Sequence, residues 1–242
     1  MIELKNIQFK YPNNDKIILN NINLNIEKGK SYAFIGPTGE GKSTLALLIS
    51  GLLTPTLGTI TYNDKNLVDY TRRELANDIG YILQEPFLFG GTIIDNIIYG
   101  NSDFLDNSIF DPLAKNLDYL QDQEIRDILE NKLLKILEQK NLNHLIEKFP
   151  NGLKTLVTNN SENISLGQKQ IINFLRVILR WPKILILDEA TANLDTITEK
   201  ELQLILDNLS VNTTKIIIAH RLNTIKDVDY KYLVAGGRIT KL

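Results

Sequence analysis

The run Gly36-Pro37-Thr38-Gly39-Glu40-Gly41-Lys42-Ser43-Thr44 constrains this chain more than any other stretch. Gly36, Gly39 and Gly41 allow a backbone path that side chains would block. The spacing fits the phosphate-binding loop, in which a glycine, four residues and a second glycine lead to lysine and serine. Ser31-Tyr32-Ala33-Phe34-Ile35 reads as a strand running into the loop, and Leu45-Ala46-Leu47-Leu48-Ile49 as a helix leaving it. Such a turn aims successive N–H groups at one anion, and the helix N-terminus adds its partial positive charge. Lys42 then reaches the β- and γ-phosphates as a point charge, and the Ser43 hydroxyl ligates Mg²⁺. An ordinary glycine-rich strand–helix turn is the weaker alternative. The Glu40 carboxylate, set beside a phosphate site, is expected to point to solvent.

The 242 residues, 43% of them hydrophobic, suffice for a sizeable core in one large domain or two modest lobes. A net charge of −2 offers no electrostatic footprint for nucleic acid. The absence of cysteine excludes disulfides and thiolate metal sites and is compatible with a reducing compartment. The N-terminus lacks a signal-peptide pattern. No run of 18 apolar residues occurs, so the chain is not expected to cross a membrane itself.

Glu3 to Phe9, Ile17 to Leu24 and Gly58 to Tyr62 read as strands, with turns at Pro12 to Asp15, Glu27 to Gly29 and Asn63-Asp64. This first lobe is expected to be antiparallel around the P-loop strand. Thr71 to Asp78 reads as a helix, and Ile79 to Leu83 as a strand ending at Gln84. Gly90-Gly91 marks a bend. Ile125, Ile128, Leu129, Leu133, Ile136 and Leu137 recur at helical spacing over Glu124 to Gln139, an amphipathic packing helix. Asp103 to Asp122 is polar and irregular, an expected surface excursion. A helix from Gly167 to Arg180, a buried strand from Lys183 to Leu187, a helix from Thr198 to Leu209 and a buried strand from Lys215 to Ala219 follow. A hairpin about Gly236-Gly237 closes the chain. Parallel strands flanked by helices, with the P-loop at one strand end, predict a doubly wound α/β core.

Asp188 and Glu189 close a buried strand, where ligands of open α/β sheets gather. Their side chains point opposite ways, so Asp188 can hold Mg²⁺ while Glu189 polarises an attacking water as general base. Taken alone the pair is equally a solvated, helix-capping strand end; beside a P-loop the catalytic reading prevails. His220 also follows a buried strand and is read evenly as structural or as reaching the γ-phosphate.

Ile164-Ser165-Leu166-Gly167-Gln168, then Leu187-Asp188-Glu189 and Ala192-Asn193-Leu194-Asp195, resemble an ATP-binding-cassette (ABC) ATPase. The resemblance covers essentially the whole chain. It makes the P-loop a Walker A motif, the strand with Asp188 a Walker B motif, and Ser165 to Gln168 the family signature. Asp195 becomes the D-loop acid, Gln84 the Q-loop glutamine and a ligand of Mg²⁺, Tyr11 the aromatic stacking on adenine, and His220 the switch histidine. Gln84-Glu85-Pro86-Phe87-Leu88-Phe89 and Asp95-Asn96-Ile97 are similar to exporters with fused membrane domains. Phe87, Leu88 and Phe89 are then expected at the contact with those domains, or else buried within this one. Leu166 departs from the family by replacing the first signature glycine, and Thr158 to Asn163 lacks the glycine that exporters often carry there. Ser165 and Gly167 remain, so activity is expected to survive.

The resemblance implies a single ABC ATPase domain over 1–242. Its RecA-like core and antiparallel β lobe occupy 1–85 and 168–242, and a helical subdomain occupies 86–167. It further implies two ATP molecules with Mg²⁺ sandwiched head-to-tail between paired cassettes, in a homodimer or heterodimer. Membrane-spanning partner domains, fused or separate, would hold the chain at the cytoplasmic face of a membrane. The chain reads as an excised exporter domain or its stand-alone equivalent. A soluble, non-transport ABC ATPase is the alternative.

Overall fold

Strand β1 (Ile2–Phe9) buries Ile2 and Leu4, then Ile7 and Phe9, so its apolar phase slips by one residue at Asn6. Strand β2 (Leu19–Ile26) does the same at Asn21, burying Leu19 and then Ile22, Leu24 and Ile26. Both asparagines adopt positive φ, 51° and 53°, and the β1–β2 register shifts on either side of Ile7. These are bulges, which keep one face apolar across a change of phase. Strands β4 (Leu57–Tyr62) and β5 (Lys65–Asn66) complete an antiparallel sheet of order β2-β1-β4-β5. Asn63 and Asp64, both at positive φ, form the two-residue turn between them. The computed structural model describes residues 1–101, 104, 123–190, 195–207, 209, 212–219 and 228–242.

The P-loop strand β3 (Ser31–Ile35) lies elsewhere, which corrects the expectation of an antiparallel lobe around it. It pairs in parallel with β10 (Thr214–Ile218) and β11 (Tyr230–Ala235). Tyr32, Ala33 and Phe34 are buried in succession, and burial on both faces belongs to an inner parallel strand. With β6 (Ile79–Ile82), β9 (Ile184–Asp188) and β12 (Arg238–Lys241) they form a six-stranded sheet of order β12-β11-β3-β10-β9-β6. Only β12 runs antiparallel, through the Gly236-Gly237 turn. The registers Phe34↔Ile218, Ile218↔Asp188 and Ile82↔Leu187 bring four carboxyl ends to one edge. Helix α1 (Lys42–Ile49) leaves that edge and buries Leu45, Ala46, Leu48 and Ile49 in a core shared with Phe34, Ile186 and Ile216. Helix α2 (Arg72–Asp78) starts at a reciprocal capping box of Thr71 and Glu74.

By Cα packing the chain divides into two units. One comprises Met1–Gln84, Trp181–Asn193 and Gln203–Leu242, and the other Glu85–Arg180 and Leu194–Leu202. The helix after the signature lies in the second of these units.

That unit holds α3 (Ile93–Ile98) against α5 (Leu166–Ile178), a two-stranded ribbon of β7 (Gly91–Thr92) and β8 (Leu156–Val157), and α4 (Gln123–Gln139). The ribbon lies where only a bend was expected; two residues are too short to show a period. In α4, Leu129, Leu133 and Leu137 face inward while Ile128 is 57% exposed, so the buried stripe is narrower than its apolar spacing suggests. Arg126 of α4 donates to both oxygens of Asp95, which also caps α3 through Thr92. The expected excursion from Asp103 to Asp122 lies outside the described residues except for Phe104, which is buried. Helix α6 (Thr196–Asp207) is capped by Asp195.

In the first unit, Asp229 ties the start of β11 to that of β3. Its carboxylate accepts from Ser31 N at 2.8 Å, Ser31 Oγ at 2.7 Å and Lys30 Nζ at 3.0 Å. These bonds, that from the Ser31 side chain foremost, hold its pKa down at about 2, against an ordinary 3.8. A depressed acid stabilises the fold above its ordinary pKa and ceases to do so as pH falls through the folded value. Asp229→Asn is therefore expected to lower the denaturation midpoint at pH 7. The deficit should begin to shrink below about pH 4, as read by denaturant titrations across that range.

Candidate active site

The β3–α1 turn depends on one residue without a side chain. At Gly36, with φ 147°, a Cβ would stand 2.1 Å from the Val234 carbonyl oxygen of β11. Gly41, at φ 96°, is the N-cap of α1 and offers no side-chain acceptor to the first turn. By contrast α2, α3, α5 and α6 each place a side-chain oxygen on their first-turn amides. The α1 amides thus remain available to an anion, where the helix dipole favours one.

Lys42 is 4% exposed, and its Nζ donates to the carbonyls of Gly36 and Pro37, at 2.8 Å each. Burial lowers its pKa, opposed by the negative charge of Glu189, Asp188 and Glu40. An ammonium has three donors, so one is left for a phosphate. Ser43 Oγ donates to Asp188 Oδ1 at 3.0 Å, and Tyr81 of β6 donates its phenol to Asp188 Oδ2 at 2.9 Å. Burial raises the Asp188 pKa, the two hydrogen bonds opposing it and Glu189 adding to it.

A desolvated carboxylate joined to a hydroxyl is a donor set that suits a hard cation. Among the described residues no group of three His, Cys, Asp or Glu side chains could cage a metal. An ion here would draw the rest of its shell from phosphate and water, which is the habit of Mg²⁺. Ser43 and Asp188 therefore fit the metal role expected of them. Gln84, the third expected ligand, follows β6 at the same strand-end edge and is exposed.

Glu189 is half-buried, and its backbone N–H donates to Ile218 O at 3.1 Å. Its φ of 49° is left-handed, a strain of about 1–3 kcal/mol for a residue with a side chain. The chain turns sharply there, immediately after Asp188. Tyr11 sets its ring edge-on to Phe9, and its hydroxyl shares a 3.0 Å hydrogen bond with Thr44 Oγ1. Glu40 does not point freely to solvent: its carboxylate accepts from Gly236 N at 2.5 Å. The β11–β12 turn offers an unpaired amide that no local pattern around Glu40 reveals. Pro37, Thr38 and Gly39 are exposed along the turn. His220 and residues 191–194 lie outside the described residues.

In the second unit, Ser165 and Gln168 form a reciprocal capping box at the start of α5, with Leu166 43% exposed beside it. A Cβ on Gly167 would lie 3.6 Å from Thr198 Oγ1 and 3.7 Å from Asp195 Oδ2, so the signature and Asp195 adjoin within this unit. Asp195 accepts from the amides of Ile197 and Thr198, and the Thr198 bonds lower its pKa. Of the three residues expected at a membrane-domain contact, only Phe87 is presented, at 71% exposure. Leu88 is buried, and Phe89 packs against Tyr99 with the Arg176 guanidinium 5.8 Å above its ring. Arg176 also donates to Phe87 O and Asn96 O, which fixes this turn.

Sequence reasoning missed Tyr81 and the bracing of the loop by Val234 and Gly236. A phenol in the otherwise buried strand Ile79–Ile82 was the one available signal for the first, since a buried hydroxyl needs a partner. The bracing had none.

The profile of a family described as "ABC transporter" matches residues 19–192. "ABC transporter B family member 2" of Dictyostelium discoideum is 36% identical over 242 residues, covering 100% of this chain and 16% of that protein. "Multidrug resistance-like ATP-binding protein MdlB" of Buchnera aphidicola is 35% identical over 241 residues, covering 100% of this chain and 37% of that protein. A solved bacterial Atm1-family ABC exporter with ATP bound superposes with a TM-score of 0.79 at 28% identity, over 99% of this chain and 37% of that one. The chain thus spans well under half the length of these relatives.

Because burial raises the Asp188 pKa, its charged form costs more folded than unfolded, and that cost is present once pH exceeds the ordinary 3.8. Asp188→Asn is expected to raise the melting temperature of the nucleotide-free protein at pH 7. The same substitution should abolish the further rise expected of the wild type in Mg-ATP, both read by thermal shift.

Proposed function

Since the chain belongs to the ABC transporter family, as an ABC-type ATPase homologous to the ATP-binding domains of exporters, we propose that it powers movement of a cargo across a membrane by hydrolysing Mg-ATP at its P-loop. The observation that carries the catalytic assignment is the Ser43–Asp188 hydrogen bond, set at a sheet edge beside the uncapped start of α1 and followed by Glu189.

The amides of Gly36 to Thr44 cradle the phosphates, and Lys42 bears on the β- and γ-phosphates. Tyr11 stacks on adenine, exchanging its Thr44 bond for that contact. Ser43, Asp188 and Gln84 hold Mg²⁺, which when bound neutralises charge on the phosphates. Glu189 takes a proton from water as the oxygen attacks the γ-phosphorus. A new P–O bond forms, the β–γ bridging bond breaks, and ADP leaves with the bridging oxygen. His220 steadies the γ-phosphate or the attacking water.

The second half of the site comes from a paired cassette, whose Ser165 and Gly167 meet the γ-phosphate at another helix start, with Leu166, Gln168 and Asp195 flanking it. Hydrolysis removes the group held from both sides and releases the pair. Among the described residues no helix is long and apolar enough to cross a membrane. Partner membrane domains, docked in part through Phe87, carry the cargo path and hold this chain at the cytoplasmic face.

Glu189→Gln is expected to bind ATP while turnover falls by about 100- to 10,000-fold, the span typical of a general base. A dimer should accumulate on size exclusion in Mg-ATP; wild-type turnover would remove Glu189 from that role. Leu166→Gly should change turnover by less than about tenfold, an activation difference of about 1.4 kcal/mol. A rise of several orders of magnitude would mean that the natural leucine disables this signature.

A further inference from the structure

Tyr81 has no part in the scheme above, yet it touches the residue on which metal binding rests. In the β6–β9 register it lies opposite Ile186, two residues before Asp188 on the same face. Its hydroxyl reaches along that face to Asp188 Oδ2 at 2.9 Å. Ser43 occupies Oδ1, so the carboxylate is held at both oxygens, by one donor from the P-loop helix and one from a neighbouring strand. A phenol, with an ordinary pKa of about 10, keeps its proton at neutral pH and so serves here as a donor. A Ser43 hydroxyl that goes on donating to a fixed Oδ1 turns its lone pairs away from the carboxylate, toward a cation.

We propose that Tyr81 is a positioning residue for the divalent cation: its hydroxyl fixes the Asp188 carboxylate, and through it Ser43, in the arrangement that binds Mg²⁺. The proposal rests on the assignment of Ser43 and Asp188 to the metal. An unclamped carboxylate turns about its Cβ–Cγ bond and must be ordered by the ion itself, which weakens binding.

The test is Tyr81→Phe, which keeps the ring and deletes the donor. Binding of a fluorescent ATP analogue is followed during Mg²⁺ titration, and separately in EDTA. Tyr62→Phe is the control, since Tyr62 donates to Asp78 in the same unit through a 2.8 Å bond of the same chemistry, away from the P-loop. In Tyr81→Phe the half-saturating Mg²⁺ should rise about tenfold, the scale of one hydrogen bond to a charged group. Its analogue affinity in EDTA should match the wild type. Tyr62→Phe should lower the melting temperature and leave the Mg²⁺ titration in place. An unchanged titration in Tyr81→Phe, or an equal rise in Tyr62→Phe, overturns the positioning role alone. A wild type whose nucleotide binding ignores Mg²⁺ overturns the metal assignment and this proposal together.

Discussion

Folding takes one lysine and one aspartate out of water at the same sheet edge, and the site is organised around that cost. Neither group is fully compensated. Lys42 is met by two carbonyl oxygens, which carry only partial charge. Asp188 is met by two hydroxyls and remains harder to ionise than an exposed acid. A buried charge without a full partner costs several kcal/mol by order of magnitude, about as much as a domain of this kind can spare. On the proposed function, a polyphosphate and a cation arriving together would relieve both groups at once, so part of the binding energy would reside in the folded chain beforehand.

The loop that carries Lys42 is shaped from the far end of the sequence. Val234 O stands where a Cβ on Gly36 would be, and Gly236 N holds the Glu40 carboxylate. Asn20 N donates to Gly237 O at 2.7 Å, so the terminal hairpin also braces the start of β2. This contact network explains why an acid is tolerated in a phosphate-binding loop: its charge is engaged on the side of the hairpin.

Much of this was legible in the residues. The spacing of Gly36, Gly41, Lys42 and Ser43 named the ligand class, and the both-face apolar strand ending in Asp188-Glu189 located the acids. The slip of phase at Asn6 and Asn21 was not read from the sequence, since a bulge and a broken pattern look alike in one dimension. For a related reason the local reading drew the P-loop strand into the antiparallel lobe, while the α/β pattern of the whole chain put the P-loop at a strand end of the doubly wound core. Its neighbours in sequence are antiparallel strands, but its partners, β10 and β11, lie some 180 residues or more downstream. Nothing within β3 specifies them beyond burial on both faces. In the second unit, Leu88 and Phe89 read like Phe87, and only their packing in the folded chain, Leu88 buried and Phe89 against Tyr99, leaves Phe87 the one at the surface.

The sequence by itself pointed to the chemistry: a phosphate-binding loop, a candidate metal-ligating hydroxyl and carboxylate, a candidate base and a second helix start bearing the signature. These are matters of residue type and short spacing, which local backbone geometry translates directly. The tertiary structure alone decided which groups complete that chemistry from a distance. Tyr81 on Asp188, Val234 against Gly36 and Gly236 on Glu40 are contacts between segments far apart in the chain, set by the parallel register of the sheet. Hydrogen bonds of this kind depend on where a strand lies to within a few tenths of an ångström, and no pattern of residue types encodes that position.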